Sequence, residues 1–501
     1  MKSKSITKNT SILYLRMLIT MVLSFVISRL LLKNLGIEDY GIYGVVGSVV
    51  TLFSFLNIAL ITAGQRCLSF EMGKNENKEK LVFKSIFTFC FIIAVSVLLI
   101  LFIFGNSLVN ELNIPIGRMD AAKNVFHFST LTFFISTLII PFSSFVIADE
   151  EISFYASVNV VDIILRLLVV CLLSYLPGDS LVNYGFLLIL NNLILLLIYF
   201  IKLNKTVKVG FDFNRVRFKE ISKYFGWNLL GGLASISLLQ GIQILINLFF
   251  NPIFNAAQTL SIQIKSAVDT FAANIRTASN PRIMKLCAAN NHEEAYNILS
   301  LSIKLSTVAI LLIAIPLLVK TQLILSLWLK NVPPYTSIFV KLVLVNCIID
   351  VVSSPIVSVI QSIGNLKNYQ ITSSLIILLV LPFTYLFFYL NFEVYIFGIF
   401  IITSSILILF LRLYFLKRIF HFSVNDLLIS IFKQIIIIPI LVFLPTYFIS
   451  TLLREGVLNL MVSSIFSISL ILLLCFSLLF DNNEKIVIRE FLNSKKNKIF
   501  K

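Results

Sequence analysis

The residues of this chain that are best suited to chemistry are charged side chains that interrupt long apolar segments. Arg16, Lys265, Asp269 and Asp350 each lie inside a segment long enough to cross a membrane. A charge at the centre of a bilayer costs about 3 kcal/mol or more, so such a side chain should face protein or water and often serves transport. The two cations suit an anionic ligand, because they donate charge-assisted hydrogen bonds. The Asp350 carboxylate suits a proton or a sodium ion.

One apolar segment, residues 253–275, also carries a stripe of polar side chains. Its members recur at steps of three or four residues, which places them on one face of a helix. They are Asn255, Gln258, Ser261, Lys265 and Asp269. Shorter polar rows follow the segments at 226–249, with Asn228, Gly232, Ser235 and Gln243, and at 12–32, with Arg16, Thr20 and Ser24. We expect these rows to line one shared cavity.

A purely structural interpretation competes with the functional one at several of these charges. Asp162 with Arg166, and Lys265 with Asp269, are opposite charges four residues apart, so each could form a self-neutralised pair on its own helix. Arg29, Lys304 and Lys341 lie near the ends of their segments. We expect these three side chains to extend toward the membrane surface.

The elements that position these residues are helices within a membrane. Apolar residues make up 58% and charged residues 13% of the 501 residues, which predicts an all-α polytopic membrane protein with about fourteen spans. Each apolar segment is long enough to cross a hydrocarbon core about 30 Å thick. The predicted spans are 12–32, 41–63, 83–104, 124–147, 152–175, 181–201, 226–249, 253–275, 298–319, 337–360, 369–390, 394–416, 434–451 and 457–480.

The net charge of +17 is explained by topology rather than by nucleic-acid binding. Most Lys and Arg residues fall in every second linker and in the two termini. Because cytoplasmic segments of membrane proteins are enriched in these cations, both termini should be cytoplasmic. The chain is therefore predicted to be a multi-pass protein of the bacterial inner membrane, with membrane lipids as its surroundings.

A weak internal similarity about 215 residues apart predicts two related halves. The predicted domains are an N-terminal six-helix lobe (1–205), a cytoplasmic amphipathic linker (206–225), a C-terminal six-helix lobe (226–420), and two additional helices with a basic tail (421–501). Six spans is an even number, so the two lobes should be parallel repeats.

Enzymatic chemistry finds little support in the sequence. The linkers predicted to face outward are too short for a catalytic domain, and the chain has neither a GxxxxGK[ST] phosphate loop nor an HExxH motif. It has only three His, and its six Cys show no CxxC spacing. We expect no catalytic residues, no metal site and no cofactor, with proton or sodium coupling as the energy source of any transport.

Several short segments resemble the Wzx-type flippases of lipid-linked oligosaccharides, in the multidrug/oligosaccharidyl-lipid/polysaccharide exporter superfamily. The segments are 35–43 (LGIEDYGIY), 65–71 (QRCLSFE), 148–156 (ADEEISFYA), 255–258 (NAAQ), 278–281 (ASNP) and 327–333 (LWLKNVP). The resemblance implies a flippase that moves an undecaprenyl-diphosphate-linked oligosaccharide from the cytoplasmic to the periplasmic leaflet by alternating access. The product would serve synthesis of O-antigen, as part of lipopolysaccharide, or of another surface polysaccharide.

Roles for the polar residues follow from that resemblance. Arg16 and Lys265, with Asp269 beside the latter, would contact the diphosphate. The amide side chains would contact the glycan, and they are Gln240, Gln243, Asn247, Asn255 and Gln258. Asp350 is the candidate site for a coupling ion. A polysaccharide polymerase and a chain-length regulator are the expected protein partners.

Two other functions stay open. A multidrug or cation antiporter of the same superfamily would have a similar length and fold, although its cavity should favour cations. A polytopic O-antigen polymerase or glycosyltransferase would also be basic and apolar, yet it needs a sizeable catalytic loop.

Overall fold

A computed structural model of the protein describes residues 2–74, 79–149, 151–204, 206–289, 291–362, 366–419, 424–480 and 484–485. These residues form α-helices joined by short connections, which confirms the predicted all-α fold. The helices are α1 Lys2–Thr51, α2 Ser54–Lys74, α3 Glu79–Asn110, α4 Met119–Ala148, α5 Ile152–Leu172, α6 Ser180–Leu203, α7 Arg215–Phe249, α8 Pro252–Ala288, α9 His292–Val319, α10 Thr321–Trp328, α11 Thr336–Ser353, α12 Ile356–Ser362, α13 Leu366–Tyr389, α14 Ile396–Ile419, α15 Val424–Phe432, α16 Ile438–Leu452 and α17 Val457–Leu478.

The membrane-spanning character of the chain is confirmed as well. Among the described residues, twelve helical segments are long and apolar enough to cross a membrane. Residues 41–51 of the predicted span 41–63 belong to the first of these twelve, Ile19–Thr51. Helices α2 and α8, which contain the rest of that span and the predicted span 253–275, are not among the twelve. Both regions are helical, and α8 has 37 residues. Its amide and charged side chains lower its hydropathy, as expected for a helix that faces protein or water rather than lipid.

Helix α1 is interrupted at Gly36, which has a φ of 81°. Glycine adopts this left-handed conformation without the strain that a side chain would cause. Further along α1, Gly41 lies against the first turn of α8. A Cβ atom on Gly41 would lie 1.8 Å from the Pro252 carbonyl oxygen. The glycines of the 35–43 motif therefore have structural roles, one in a kink and one in a close helix contact.

The described residues divide into two compact units. The first comprises residues 1–260, 328–336 and 377–394. In it, α4 packs against α3 and α6, and α2 packs against α4 and α7. Aromatic rings fill part of its core, where the Phe83 ring makes edge contacts with Phe142 and Phe145 at centroid distances of 5.4 and 6.0 Å.

The second unit comprises residues 261–327, 337–376 and 395–501. Its core joins aliphatic side chains of α9, α12, α14 and α15, and α16 and α17 pack against α9. Two helix irregularities occur in it. The chain turns at Ser354 and Pro355 between α11 and α12, where the proline interrupts the helix. A π-helical turn, Lys433–Ile437, joins α15 to α16.

Residues 206–214, in the predicted amphipathic linker, are not helical, and α7 begins only at Arg215. The Phe211 ring contacts Phe87 and Phe91 of α3 at 5.9 and 5.2 Å. The Asp212 carboxylate accepts hydrogen bonds from the Ser85 hydroxyl and from Arg217. The Ser85 hydrogen bond is the largest influence on the pKa of Asp212, and with the Arg217 charge it outweighs partial burial and lowers that pKa. This segment is therefore attached to α3.

Candidate functional site

The two charged members of the α8 stripe, Lys265 and Asp269, form an ion pair within the second unit. The Lys265 ammonium lies 2.6 Å from the Asp269 carboxylate, one helical turn further on. Their side chains are 27% and 36% exposed, so both remain accessible. The structure thus forms the i, i+4 pair, and in this state Asp269 neutralises the cation predicted to hold an anionic ligand.

Helix α11 brings a second carboxylate to the same cluster. Asp350 interacts electrostatically with Lys265, and it accepts a hydrogen bond of 3.1 Å from the Asn346 side chain. The buried Cys347 thiol interacts electrostatically with Lys265 as well. Asp269 is therefore the ion-pair partner of the ammonium, and Asp350 adds a second negative charge to its surroundings. The sequence offered Asp350 only as a separate candidate; the fold places it beside Lys265.

Two of the predicted glycan-binding amides, Asn255 and Gln243, are buried in the first unit and bonded to each other. The Asn255 side chain is fully buried, and its Nδ2 atom donates to the backbone oxygen and to Oε1 of Gln243, at 2.6 and 2.7 Å. Gln243 in turn donates to the Thr259 hydroxyl at 3.0 Å. The Asn255 Oδ1 atom is buried and accepts no hydrogen bond from the described part of the chain. These amides fasten α7 to α8.

Three further predicted amides lie in different surroundings. Asn247 is fully buried, and its Oδ1 atom accepts a hydrogen bond of 2.9 Å from the backbone nitrogen of Asn113. Gln258 is buried as well, whereas Gln240 is partly exposed. Gln240 is therefore the most accessible of the five amides predicted to bind glycan. Glycan binding by any of them stays a prediction.

A second intramembrane charged cluster lies in the first unit. The Arg166 guanidinium is 3.0 Å from the Asp162 carboxylate, which also accepts a hydrogen bond of 2.8 Å from the buried Asn191 amide. Tyr43 and Tyr184 make an edge contact at 4.9 Å and interact electrostatically with Arg166. The pair predicted from the spacing forms, but it belongs to a polar group from three helices that the sequence did not indicate.

An ion-pair bridge between α1 and the residues that precede α4 and α6 was also missing from the sequence-based prediction. Arg118 binds Asp39 at 2.5 and 2.8 Å and Asp179 at 2.5 and 3.2 Å. Asp179 also caps α6 by accepting from the backbone nitrogens of Leu181 and Val182. Partial burial alone would raise the pKa of Asp179, but these hydrogen bonds outweigh it and lower the pKa. Arg118 thus ties α1 to the start of α6.

Two expectations from the sequence need comment. The side chain of Arg16 lies outside the residues whose side chains are described, as does that of Asn228, so the role of Arg16 stays a prediction. The expectation that Lys304 extends to the membrane surface is wrong. Its side chain is only 6% exposed, and its ammonium lies 2.7 Å from the Glu484 carboxylate. The Glu484 carboxylate thus stabilises the Lys304 ammonium in place of water.

The chain is similar in sequence and in fold to known proteins. A family profile described as polysaccharide biosynthesis protein matches residues 6–287. No curated protein sequence matches the chain. Among solved structures, a lipid II flippase, MurJ, in an inward closed conformation has a TM-score of 0.74 at 12% identity. The match covers 92% of this chain and 97% of that one.

Transporters of the MOP superfamily share the fold as well. An inward-facing multidrug resistance transporter of the MATE family has a TM-score of 0.66 at 13% identity, with 80% of this chain and 94% of that chain covered. A MOP-superfamily transporter from Pyrococcus furiosus, described by a reversed polarity of its binding pocket, has a TM-score of 0.56 at 14% identity. That match covers 82% of this chain and 95% of the other.

Proposed function

The chain belongs to the polysaccharide biosynthesis protein family, and from that premise we propose that it carries a lipid-linked oligosaccharide across the membrane. The cargo is an undecaprenyl-diphosphate-linked repeat unit, and the direction is from the cytoplasmic to the periplasmic leaflet. The observation that carries the proposal is the family match over residues 6–287. The shared fold with a protein named as a lipid II flippase supports a lipid-linked cargo.

The charged cluster of α8 and α11 supports a specific way of handling that cargo. A diphosphate must keep cationic or hydrogen-bonding partners while it passes the hydrocarbon region. Lys265 offers an ammonium on the polar face of α8, but Asp269 holds it at 2.6 Å. The cargo phosphate therefore has to displace Asp269 from Lys265.

Neutralising the carboxylates would make this displacement easier. A proton or sodium ion bound by Asp269 or Asp350 removes the charge that competes for Lys265, so cation binding would favour phosphate binding. Release of the cation would restore the Lys265–Asp269 pair and expel the phosphate. This linkage is reciprocal, because each ligand raises the affinity for the other.

A cation antiporter is the second candidate function. The two carboxylates around one ammonium are the observation that favours it, because their excess negative charge would suit a cationic drug. The first function fits better with the polysaccharide biosynthesis family.

A deletion strain tests the proposal in cells. Without the protein, lipid-linked repeat units should accumulate in the cytoplasmic leaflet, where added glycosidases and lectins do not reach them in intact spheroplasts. The native gene should restore surface polysaccharide. Accumulation of single units on the periplasmic side would instead indicate a polymerase, and normal polysaccharide with raised drug sensitivity would indicate the antiporter.

A further inference from the structure

A polar pocket of about 410 Å³ lies in the second unit, apart from the α8 cluster. Side chains of α9 form one wall, residues of α15 and of the π-helical turn form another, and the end of α17 with Glu484 closes a third side. Its polar lining is Tyr296, Asn297, Ser300, Lys304, Ser430 and Lys433. Two ammonium groups thus border one small polar space.

Lys304 is the unusual member of this lining. It lies within a membrane-spanning helix, and its side chain is 6% exposed. A buried ammonium needs a counter-charge, because removing it from water without a partner is strongly unfavourable. The Glu484 carboxylate provides that charge at 2.7 Å and is itself 21% exposed. Glu484 lies beyond the end of α17, so a segment next to the C-terminal tail supplies an anion to the pocket.

Lys433 is presented by an irregular helix turn. It is the first residue of the π-helical turn 433–437, a type of turn that is rare and often found at functional sites. The fully buried Gln434 holds the turn in place, donating to the Ser430 hydroxyl at 3.0 Å and accepting from Thr307. The Lys433 side chain itself is exposed. In this turn the Gln434 side chain is buried in the protein, whereas the Lys433 ammonium lies at the pocket.

The surroundings suit a lipid rather than a small soluble anion. Neighbouring residues of α15 line both this pocket and a second cavity of about 630 Å³, which is lined by apolar side chains. Leu427 and Ser430 face the polar pocket, whereas Leu428 and Ile431 face the apolar cavity. The basic segments at this end predict a cytoplasmic location, where anionic lipids attract cations.

We propose that this pocket binds the phosphate of an anionic phospholipid headgroup through Lys304 and Lys433, and that the Glu484 carboxylate competes with the phosphate for Lys304. Glu484 is then an internal mimic of the headgroup. Lipid binding would release it from Lys304. The lipid content of the membrane would thereby control how the end of α17 is held against α9.

Native mass spectrometry of the purified full-length protein tests this proposal. Phosphatidylglycerol and phosphatidylcholine of matched chain length are added in equal amounts, and the retained lipid is counted. The wild type should retain phosphatidylglycerol selectively. Glu484→Gln should raise its occupancy several-fold, while Lys304→Gln and Lys433→Gln should lower it. Lys320→Gln, at the other end of α9, is the matched control and should change nothing.

The remaining outcomes overturn the proposal. The proposal is wrong if phosphatidylglycerol occupancy is the same in the wild type, in Glu484→Gln and in Lys433→Gln. This comparison does not need Lys304→Gln to fold, because Lys433 is exposed and its substitution should leave folding unchanged. An arm with millimolar inorganic phosphate separates the two sources of the anion. If inorganic phosphate displaces phosphatidylglycerol and stabilises the lipid-free protein equally well, the pocket is a site for free phosphate and the lipid assignment is wrong.

Discussion

The Lys265 ammonium and the Asp269 carboxylate lie 2.6 Å apart on one face of α8. Asp350 of α11 interacts electrostatically with the same ammonium, but it is Asp269 that already occupies the positive charge of Lys265. This arrangement would make binding of the proposed anionic cargo an exchange of partners, because the ammonium carries no free positive charge until Asp269 leaves it. It gives the carboxylates a role beside the proposed phosphate-binding lysine.

The lysine should matter more for transport than for folding. Lys265→Gln is expected to reduce surface polysaccharide about tenfold or more at equal protein level. A hydrogen bond to a charged group contributes about 1.5–3 kcal/mol, and 1.4 kcal/mol corresponds to a factor of ten. Arg282→Gln is a matched control, because Arg282 lies on the same helix in an exposed pair with Glu294. Full export by Lys265→Gln would refute the proposed phosphate contact.

The contact of Gly41 with α8 should be intolerant of a methyl group. In Gly41→Ala the new Cβ atom would overlap the backbone oxygen of Pro252, so α1 and α8 must separate. Overpacking of this kind costs about 1–3 kcal/mol. We expect a lower thermal unfolding temperature in detergent. Gly47→Ala in the same helix is the control, since its Cβ atom would meet no atom within 4 Å; equal unfolding temperatures for the two variants would contradict the packing.

The Arg118 bridge should make stability depend on pH in the acid range. The folded protein lowers the pKa of Asp179 below its ordinary value of 3.8. The resulting stabilisation is present above pH 3.8 and disappears as the pH falls through the lowered pKa, because protonation breaks the pair. Unfolding temperatures of the wild type and Asp179→Asn, measured from neutral pH downward, should converge at low pH. Glu111 is an exposed carboxylate just after α3, and the unfolding temperature of the control Glu111→Gln should follow that of the wild type at every pH. If the difference in unfolding temperature between Asp179→Asn and the wild type is the same at every pH, the proposed linkage is excluded.

Substitution of the amides of α7 and α8 should affect stability at some positions and export at others. Asn255→Ala removes two buried hydrogen bonds to Gln243, so it should destabilise the protein by about 1–3 kcal/mol. Gln240→Ala, at a partly exposed position on α7, should leave the unfolding temperature unchanged and reduce export if Gln240 contacts glycan. Thermal unfolding and surface polysaccharide are measured on the same preparations. Destabilisation by Gln240→Ala but not by Asn255→Ala would reverse these assignments.

Local periodicity was sufficient to predict part of the site. The polar face of α8 and the pairs Asp162–Arg166 and Lys265–Asp269 follow from a repeat of 3.6 residues, since residues four apart are neighbours on any helix. The all-α fold follows from the apolar segments. These predictions depend only on chain-local geometry.

Contacts between distant residues could not be predicted in this way. Arg118 meets Asp39 and Asp179 across 79 and 61 residues, and Lys304 meets Glu484 across 180. Nothing in periodicity or charge selects one distant carboxylate over another. The expectation for Lys304 failed for this reason, because its position in the span was known but its partner was not.

The most direct test of the proposed function uses purified protein in proteoliposomes. Undecaprenyl-diphosphate-linked oligosaccharide is placed in both leaflets, and a glycosidase that cannot cross the membrane is added outside in saturating amount. The measured quantity is the fraction of glycan that escapes cleavage. The wild type should expose nearly all of the glycan to the enzyme, whereas vesicles with Lys265→Gln or without protein should keep about half of it uncleaved. Protection of half the glycan by correctly folded wild-type protein, under imposed proton and sodium gradients of either direction, would contradict the proposal that this chain moves lipid-linked oligosaccharide.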